Sequence, residues 1–224
     1  MISESQPSRP FVNKILAALD STRYQRFFSF LEPVTLSLGE VVYNPGAKIQ
    51  HVYFPETAVF SMLCTLTNGD TVEVGPVGRE GMVGLNIFFG ASTTNTQQVI
   101  QVGGTALKMD ADVLRQELRT ETSLMPHLLL RYTQMLLAMT SQSSACNKLH
   151  SLEEQLSKWL LLMHDYVGEE LLLTHELIAL TLGVRRAGVT ESANDFKKSG
   201  LIDYRRGHIR VLDREGLEAI ACEC

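Results

Sequence analysis

The densest chemistry in the chain lies between residues 174 and 214. Arg185 and Arg186 stand together, Lys197 and Lys198 follow, and Arg205, Arg206, Arg210 and Arg214 complete eight bases. Four acids share residues 185–214: Glu191, Asp195, Asp203 and Asp213, so eight minus four gives +4 there, in a chain of 224 residues whose net charge is −5. A local basic excess on an acidic protein is the footprint of phosphate contact. Two adjacent arginines can divide the work, one reading a guanine edge bidentately and the other holding a phosphate. Nothing comparable points to catalysis. No Ser/His/Asp or Cys/His arrangement stands out, and the glycines of residues 75–90 form no GxGxxG or P-loop pattern.

These side chains need elements to carry them. Thr174 can cap a helix that runs to Leu182, and Gly183 and Val184 then turn the chain into a second helix from Arg185 to about Ser199, closed by Gly200. A helix-turn-helix needs a small residue where its helices touch (Ala179) and a glycine four residues later (Gly183). It needs apolar residues at the packed positions (Ile178, Leu182, Val184 and Val189). All are present, and Ser192 falls where a further apolar residue is usual. The second helix would then lie in the major groove, with Arg185 and Arg186 at its leading end and Thr190 and Glu191 one turn on. Glu191 can accept from a cytosine amine or be an Arg-orienting surface carboxylate. Gly188 can let the helix approach DNA closely or be merely tolerated. Thr174 or His175 would meet the backbone at the start of the first helix. Leu201–Tyr204 and Ile209–Leu212 read as a two-stranded wing whose basic tip brings Arg205, Arg206 and His208 to phosphate or minor groove.

Upstream, the composition changes twice. Residues 39–104 hold 10 of the 16 glycines, with short β-rich runs between them at Val41–Tyr43, His51–Phe54, Val59–Leu66, Thr71–Val74 and Gln97–Val102. Such spacing predicts an antiparallel roll. Thr65–Glu73 reads as a hairpin in which Asn68 and Gly69 supply positive φ. Phe11–Leu19 and Tyr24–Phe30 read as short leading helices. Asp110 opens a helix to about Thr120, and Ser123 caps a long one with Pro126 in its first turn. Along that helix Leu128, Tyr132, Met135, Met139, Gln142 and Cys146 recur at heptad steps, predicting a dimer seam. Leu152–Tyr166 begins a new small domain after a hinge near residues 147–151. The expected fold is α+β, with a double-stranded β-helix or jelly-roll type of β-roll over 1–109, connecting and dimerisation helices over 110–148, and a winged helix-turn-helix over 149–224.

Cys64, Cys146, Cys222 and Cys224 give no disulfide framework and no paired CxxC units, so no metal is expected, and Cys222 and Cys224 read as reduced surface thiols. No apolar run is long enough to span a bilayer, and Met1–Pro10 has no signal-peptide character, so a cytoplasmic protein without membrane contact is expected.

The order of roll, long helix and winged helix-turn-helix resembles the Crp/Fnr family of bacterial transcription regulators. The resemblance spans nearly the whole chain and is carried by LGEVVYNPG (38–46), VYFP (52–55), VGREGMVG (77–84), LGVRRAGVT (182–190) and SGLIDYRRGHIRVLD (199–213). It implies a homodimer that reads a palindrome in double-stranded DNA, a roll of the cyclic-nucleotide-binding type, and RNA polymerase as a further partner.

The departures bear on the ligand. Family members that respond to cyclic AMP hold its phosphate with an Arg-Ser pair and its ribose with a Gly-Glu pair. Here the corresponding segment, GLNIFFGASTTNTQQ (84–98), has neither acid nor base. Leu85 stands near the expected glutamate, and Thr94–Thr96 near the arginine and serine. A cyclic phosphate would lack its charge-assisted anchor. Gly84, Leu85, Asn86, Thr94, Asn95 and Thr96 could hydrogen-bond an uncharged effector or form a solvated loop. No cysteine precedes Cys64, so the family's N-terminal iron–sulfur centre has no ligands, and His51 is the roll's single histidine, read as structural rather than as a haem ligand. The expectation is therefore no resident cofactor. Ala187 and Glu191 replace a glutamate and an arginine of well-known members, so the half-site should differ from theirs. Two other readings compete. The roll could sense nothing and serve only to build the dimer, or the chain could be a cyclic-nucleotide-type module that controls a protein partner rather than DNA. A metal enzyme on a cupin-like barrel lacks the several histidines it would need.

Overall fold

The computed structural model describes residues 11–20 and 24–224. Met1–Pro10, and any reading placed on it, lies outside the described residues. Two short helices, α1 (Lys14–Ala17) and α2 (Gln25–Phe28), lead into a seven-stranded roll. One sheet has the order β1-β7-β3, from Glu32–Leu36, Gly104–Asp110 and His51–Pro55. The other has the order β2-β6-β4-β5, from Val41–Tyr43, Gln97–Val102, Val59–Thr65 and Thr71–Val77. Every pairing in the roll is antiparallel. The two faces meet over a core that includes Val52, Phe54, Phe60, Ile100 and Leu114. The β4–β5 hairpin forms where predicted, but only Gly69 takes positive φ (+90°); Asn68 instead accepts from the Asp70 N–H at 3.1 Å. A 3-10 turn at Leu85–Ile87 crosses the roll's edge.

Asp110 caps α3 (Ala111–Leu118) through the Asp112 N–H. Ser123 accepts from the Met125 N–H at the start of α4 (Met125–Leu149), in which Pro126 occupies the first turn. The helix then breaks at His150, whose backbone is extended, and Ser151 starts α5 (Leu152–Val167) with a capping box closed by Glu154. Leu156, Trp159, Leu160 and Met163 on α5 enter a second core shared with the C-terminal elements.

The predicted seam is divided by the structure. Tyr132 is buried on the roll, because Gly81 leaves room for its ring; a Cβ on Gly81 would lie 2.3 Å from it. Cys146 is buried beside the end of the chain. Leu128 and Met135 also pack toward the roll, and Gln142 is exposed. The open apolar face of α4 is instead Leu130 and Leu137, 56% and 63% exposed, continued by Gln134 and Ser141. No helix among the described residues is long and apolar enough to cross a membrane.

Candidate nucleic-acid interface

The C-terminal unit adds β8 (Glu170–Leu172), α6 (His175–Leu182), α7 (Arg186–Lys198), β9 (Ile202–Arg205), β10 (His208–Val211) and α8 (Arg214–Ile220). Thr174 caps α6 by accepting from the Leu177 N–H. Gly183 takes φ +66°, which turns the chain so that the Val184 N–H reaches the Ala179 carbonyl at 3.0 Å. Ile178, Ala179, Val189, Ala193 and Phe196 are buried, fixing α7 across α6 and α5. The departure at Ser192 has a structural cause: its hydroxyl is buried and donates to Glu153 of α5 at 3.0 Å.

The arrangement separates the predicted contact residues into two groups. Arg185 is the N-cap residue of α7, and Arg185 and Arg186 are both exposed. Arg186 also pairs with Glu176 of α6 at 3.1 Å, which holds its guanidinium near the helix start. Glu191 is exposed one turn on. Arg206 (φ +47°) and Gly207 (φ +85°) make a tight turn, so Arg205 and His208 face each other across the wing tip, and all three polar side chains are exposed. Thr174 is exposed beside them, since Gly207 approaches its methyl group.

The remaining residues face inward. His175 is buried, stacked on Tyr204 at 4.1 Å and bonded through Nδ1 to the Thr190 hydroxyl at 3.0 Å. Burial, then the nearby Arg186 charge, lowers its pKa and keeps the ring neutral. It joins the two helices and does not offer itself to a phosphate. The Thr190 hydroxyl also donates back to the Arg186 carbonyl. Gly188 faces α5, where a Cβ would meet Leu152 at 2.9 Å; its smallness serves packing and not approach to DNA. Part of the charge count is likewise structural. Lys197 pairs with Asp203, Lys198 with Asp195, and Arg214 with Asp165 and Glu218. Arg185, Arg206 and Arg210 make no ion pair among the described residues, leaving them available to an external anion.

Sequence reasoning missed the third strand of the wing sheet. β8 pairs with β10, giving the order β8-β10-β9. Its signal was only three residues, Glu170–Leu172, with a single buried side chain.

The proposed effector segment is largely self-satisfied. Thr94 is buried and donates to the Thr96 carbonyl at 3.1 Å, and its own carbonyl accepts from the Gly46 N–H. Gln98 donates to the Thr96 hydroxyl at 2.7 Å. Gly84 adopts φ +92° against Val52 and Ile49, while Leu85 and Asn86 are half-buried and Asn95 is exposed. A cleft of about 1120 Å³ opens elsewhere, between the β4–β5 hairpin (Leu66, Asp70, Val72) and the start of α7 (Gly183, Arg185, Arg186).

The roll and the C-terminal unit are also bonded directly. Gln101 of β6 donates to the Thr181 hydroxyl of α6 at 3.1 Å and to Glu73 of β5 at 2.9 Å. Tyr166 of α5 donates to Glu80 at 2.7 Å, its ring over Gly78. Glu73 faces no opposite charge among the described residues; burial pushes its carboxyl up to about 7, against hydrogen bonds from Ser61 and Gln101 that pull the other way.

The architecture is thus a roll, a long helix and a helix-turn-helix with a three-stranded wing. Residues 154–220 match the family model for the Crp-like helix-turn-helix domain, and the chain has the fold of Crp/Fnr regulators. Among solved structures, FixK2 from Bradyrhizobium japonicum is 14% identical with a TM-score of 0.73, covering 87% of this chain and 98% of its own. A CRP/FNR-family transcriptional regulator from Thermus thermophilus is 19% identical (TM-score 0.68), covering 85% and 98%. The c-di-GMP-responsive global regulator CLP from Xanthomonas campestris is 16% identical (TM-score 0.66), covering 86% and 99%. No curated protein matches the sequence.

Proposed function

We propose that this protein is a sequence-specific transcription regulator that binds a palindromic operator as a homodimer, with a roll that does not take cyclic AMP as its ligand. The observation that carries the reading is the exposed Arg185–Arg186 pair at the start of a firmly packed α7, beside a wing tip bearing Arg205, Arg206 and His208. Arg186 is the candidate base reader, steadied by Glu176. Arg185 and the wing arginines are the candidate phosphate ligands, and Thr174 supports the backbone contact. Glu191 meets a base edge or orients an arginine. RNA polymerase as a further partner follows from the same reading.

The dimer seam is the face of α4 bearing Leu130, Gln134, Leu137 and Ser141, because Tyr132 and Cys146 are already covered within the chain. Each leucine buried there contributes about 1.5–3 kcal/mol. Against cyclic AMP stands the segment 84–98, which has no basic residue to meet a phosphate. The same want of a base applies there to any anionic effector, including the cyclic dinucleotide that CLP answers to.

The test is selection of bound sequences from random duplex DNA by the purified full chain without added ligand, alongside sedimentation. The expected result is a dimer and an enriched palindrome whose half-sites lie about one helical turn apart. Leu137→Glu is expected to give a monomer with far weaker enrichment. A folded dimer that enriches nothing, with or without cyclic AMP, would overturn the DNA-reading assignment. Enrichment only with cyclic AMP would overturn the ligand statement.

A further inference from the structure

Four potential metal ligands from the C-terminal ends of two helices meet outside the nucleic-acid interface. Cys146 lies in the last turn of α4 and His150 is its C-cap residue, four positions on. α8 ends at Ile220, and Ala221 turns the chain into an extended tail that carries Cys222, Glu223 and Cys224. Alternation along that tail sends both thiols toward α4. The sulfurs of Cys146 and Cys222 are 3.5 Å apart, Cys224 Sγ is 3.5 Å from His150 Nδ1, and all four ligand atoms lie within 4.8 Å of one another. Cys146 is buried and the other three half-buried. The tail cysteines are thus not the isolated surface thiols that their sequence suggests.

We propose that Cys146, His150, Cys222 and Cys224 form a mononuclear Cys3His site for a zinc-type divalent cation, clamping the end of the chain to the end of α4. The geometry fits. Bonds of about 2.3 Å to sulfur and 2.0–2.1 Å to nitrogen in a tetrahedron place two sulfurs about 3.8 Å apart and a sulfur and nitrogen about 3.6 Å apart. Both close pairs already sit near those separations. A multi-iron cluster distributes its cysteines over different irons and needs a wider set.

The surroundings match a metal site as well. His150 Nε2 is 3.5 Å from Glu223 Oε2, so the carboxylate can fix the tautomer that turns Nδ1 toward the ion. Gln142 donates to Cys224 Sγ at 3.1 Å, as an amide does to a thiolate. Gln155 donates to the carbonyls of Cys146 (3.4 Å) and His150 (2.9 Å), holding the helix end that presents both ligands. Three thiolates and one divalent cation leave a single negative charge, and the Lys158 ammonium acts favourably on the Cys146 side of it. On binding, the three thiols release their protons to solvent.

The clamp bridges the break at His150–Ser151. It therefore ties the C-terminal unit to the seam helix at the point where the two could rotate.

The experiment uses the reduced full chain, stripped of metal and titrated with Co²⁺ and then Zn²⁺. The expected result is one Co²⁺ per chain, with the ligand-field and sulfur charge-transfer absorption of a tetrahedral thiolate site, displaced stoichiometrically by Zn²⁺. C224S is expected to lose charge-transfer intensity and C222S to lose the tetrahedral spectrum. E223Q is expected to weaken binding about tenfold through the histidine. Metal-free circular dichroism of each variant should equal that of the metal-free parent. Absence of stoichiometric Co²⁺ binding would overturn the proposal, as would full binding by a C222S/C224S double variant. So would an iron–sulfur chromophore, or a Cys146–Cys222 disulfide as the form that persists under reducing titration. None of these readouts involves DNA, so they stand or fall apart from the operator selection.

Discussion

Glu73 offers a sharp test of how the roll is coupled to the C-terminal unit. Its carboxyl accepts from Ser61 on the neighbouring strand and from Gln101, whose amide also donates to Thr181 of α6. No cation among the described residues compensates it, and burial raises its pKa from 4.5 to about 7. Between those values the folded protein keeps a proton that the unfolded chain has lost. The contribution of Glu73 to stability must therefore be greatest below pH 4.5, fall as pH rises through the window, and level off above 7. The full shift at 1.36 kcal/mol per pH unit would be about 3.4 kcal/mol; Glu73 retains some exposure, and solvent screening reduces the effect to about 2. Glu73→Gln keeps the shape and an acceptor while removing the ionisation. Urea unfolding of both proteins at pH 5, 6, 7 and 8 is the assay, and the difference between the two profiles isolates Glu73 from the histidines. The parent should lose about 1.5 kcal/mol relative to the variant between pH 5 and 8, with the variant the more stable at pH 8. Parallel profiles would refute the reasoning, and so would a variant less stable than the parent at pH 8.

Two further outcomes follow from the interface geometry. Arg185→Ala and Arg205→Ala should each weaken DNA binding evenly across sequences and lower the salt slope by about 1, whereas Arg186→Ala should cost about 1–3 kcal/mol and relax the choice at one base pair; filter binding at several salt concentrations separates these. Gly183→Ala forces a side chain onto φ +66° and a Cβ to 3.0 Å from Val72, so it should lower unfolding stability by about 1–2 kcal/mol in denaturant titration while leaving the salt slope unchanged.

The parts of this molecule that the sequence discloses are those fixed by neighbouring residues. Thr174 and Asp110 cap helices because a hydroxyl or carboxylate there meets N–H groups two or three residues on, and Gly183 turns the chain because only a glycine accepts its φ readily. What stayed hidden depends on distant partners. β1 and β7 were unread, since Glu32–Leu36 and Gly104–Asp110 gain their strand character from pairing with each other. His175 and Gly188 lie in the right motif yet face Tyr204 and Leu152, so motif position marked as contacts a buried ring and a half-buried glycine that packing holds against their own domain. The heptad on α4 identified an apolar helix but not which stripe the roll would claim, because that was decided by the space at Gly81. The Cys3His set joins residues 146 and 150 to 222 and 224, a separation at which ligand spacing carries no signal.

The structure also sets a condition on DNA binding. The start of α7 shares a cleft with the β4–β5 hairpin, and Val72 touches Gly183. A duplex that takes Arg185 and Arg186 into its major groove competes for the space that Leu66 and Asp70 border, and a swing of the C-terminal unit away from the roll would clear it. Two short hydrogen bonds oppose that movement, Gln101 to Thr181 and Tyr166 to Glu80, the second to a carboxylate, and a longer one from Arg79 to the Asp165 carbonyl (3.5 Å) and apolar contact at Val72 and Val102 add to them. A neutral hydrogen bond contributes about 0.5–1.5 kcal/mol and a charged one about 1.5–3, so the two short bonds hold the closed form by about 2–4 kcal/mol. If only the open form binds, that gap lowers apparent DNA affinity by about 30- to 1000-fold, well within the roughly 11–15 kcal/mol that specific DNA binding supplies. DNA can therefore open the molecule unaided, at reduced affinity, and any effector that separates the roll from α6 recovers the difference. Ionisation of Glu73 acts on that same contact through Gln101, so raising the pH should strengthen operator binding in the parent relative to Glu73→Gln. Fluorescence anisotropy with one labelled operator at pH 6 and 8 measures this directly, and an equal response from both proteins would separate DNA binding from the closed interface altogether.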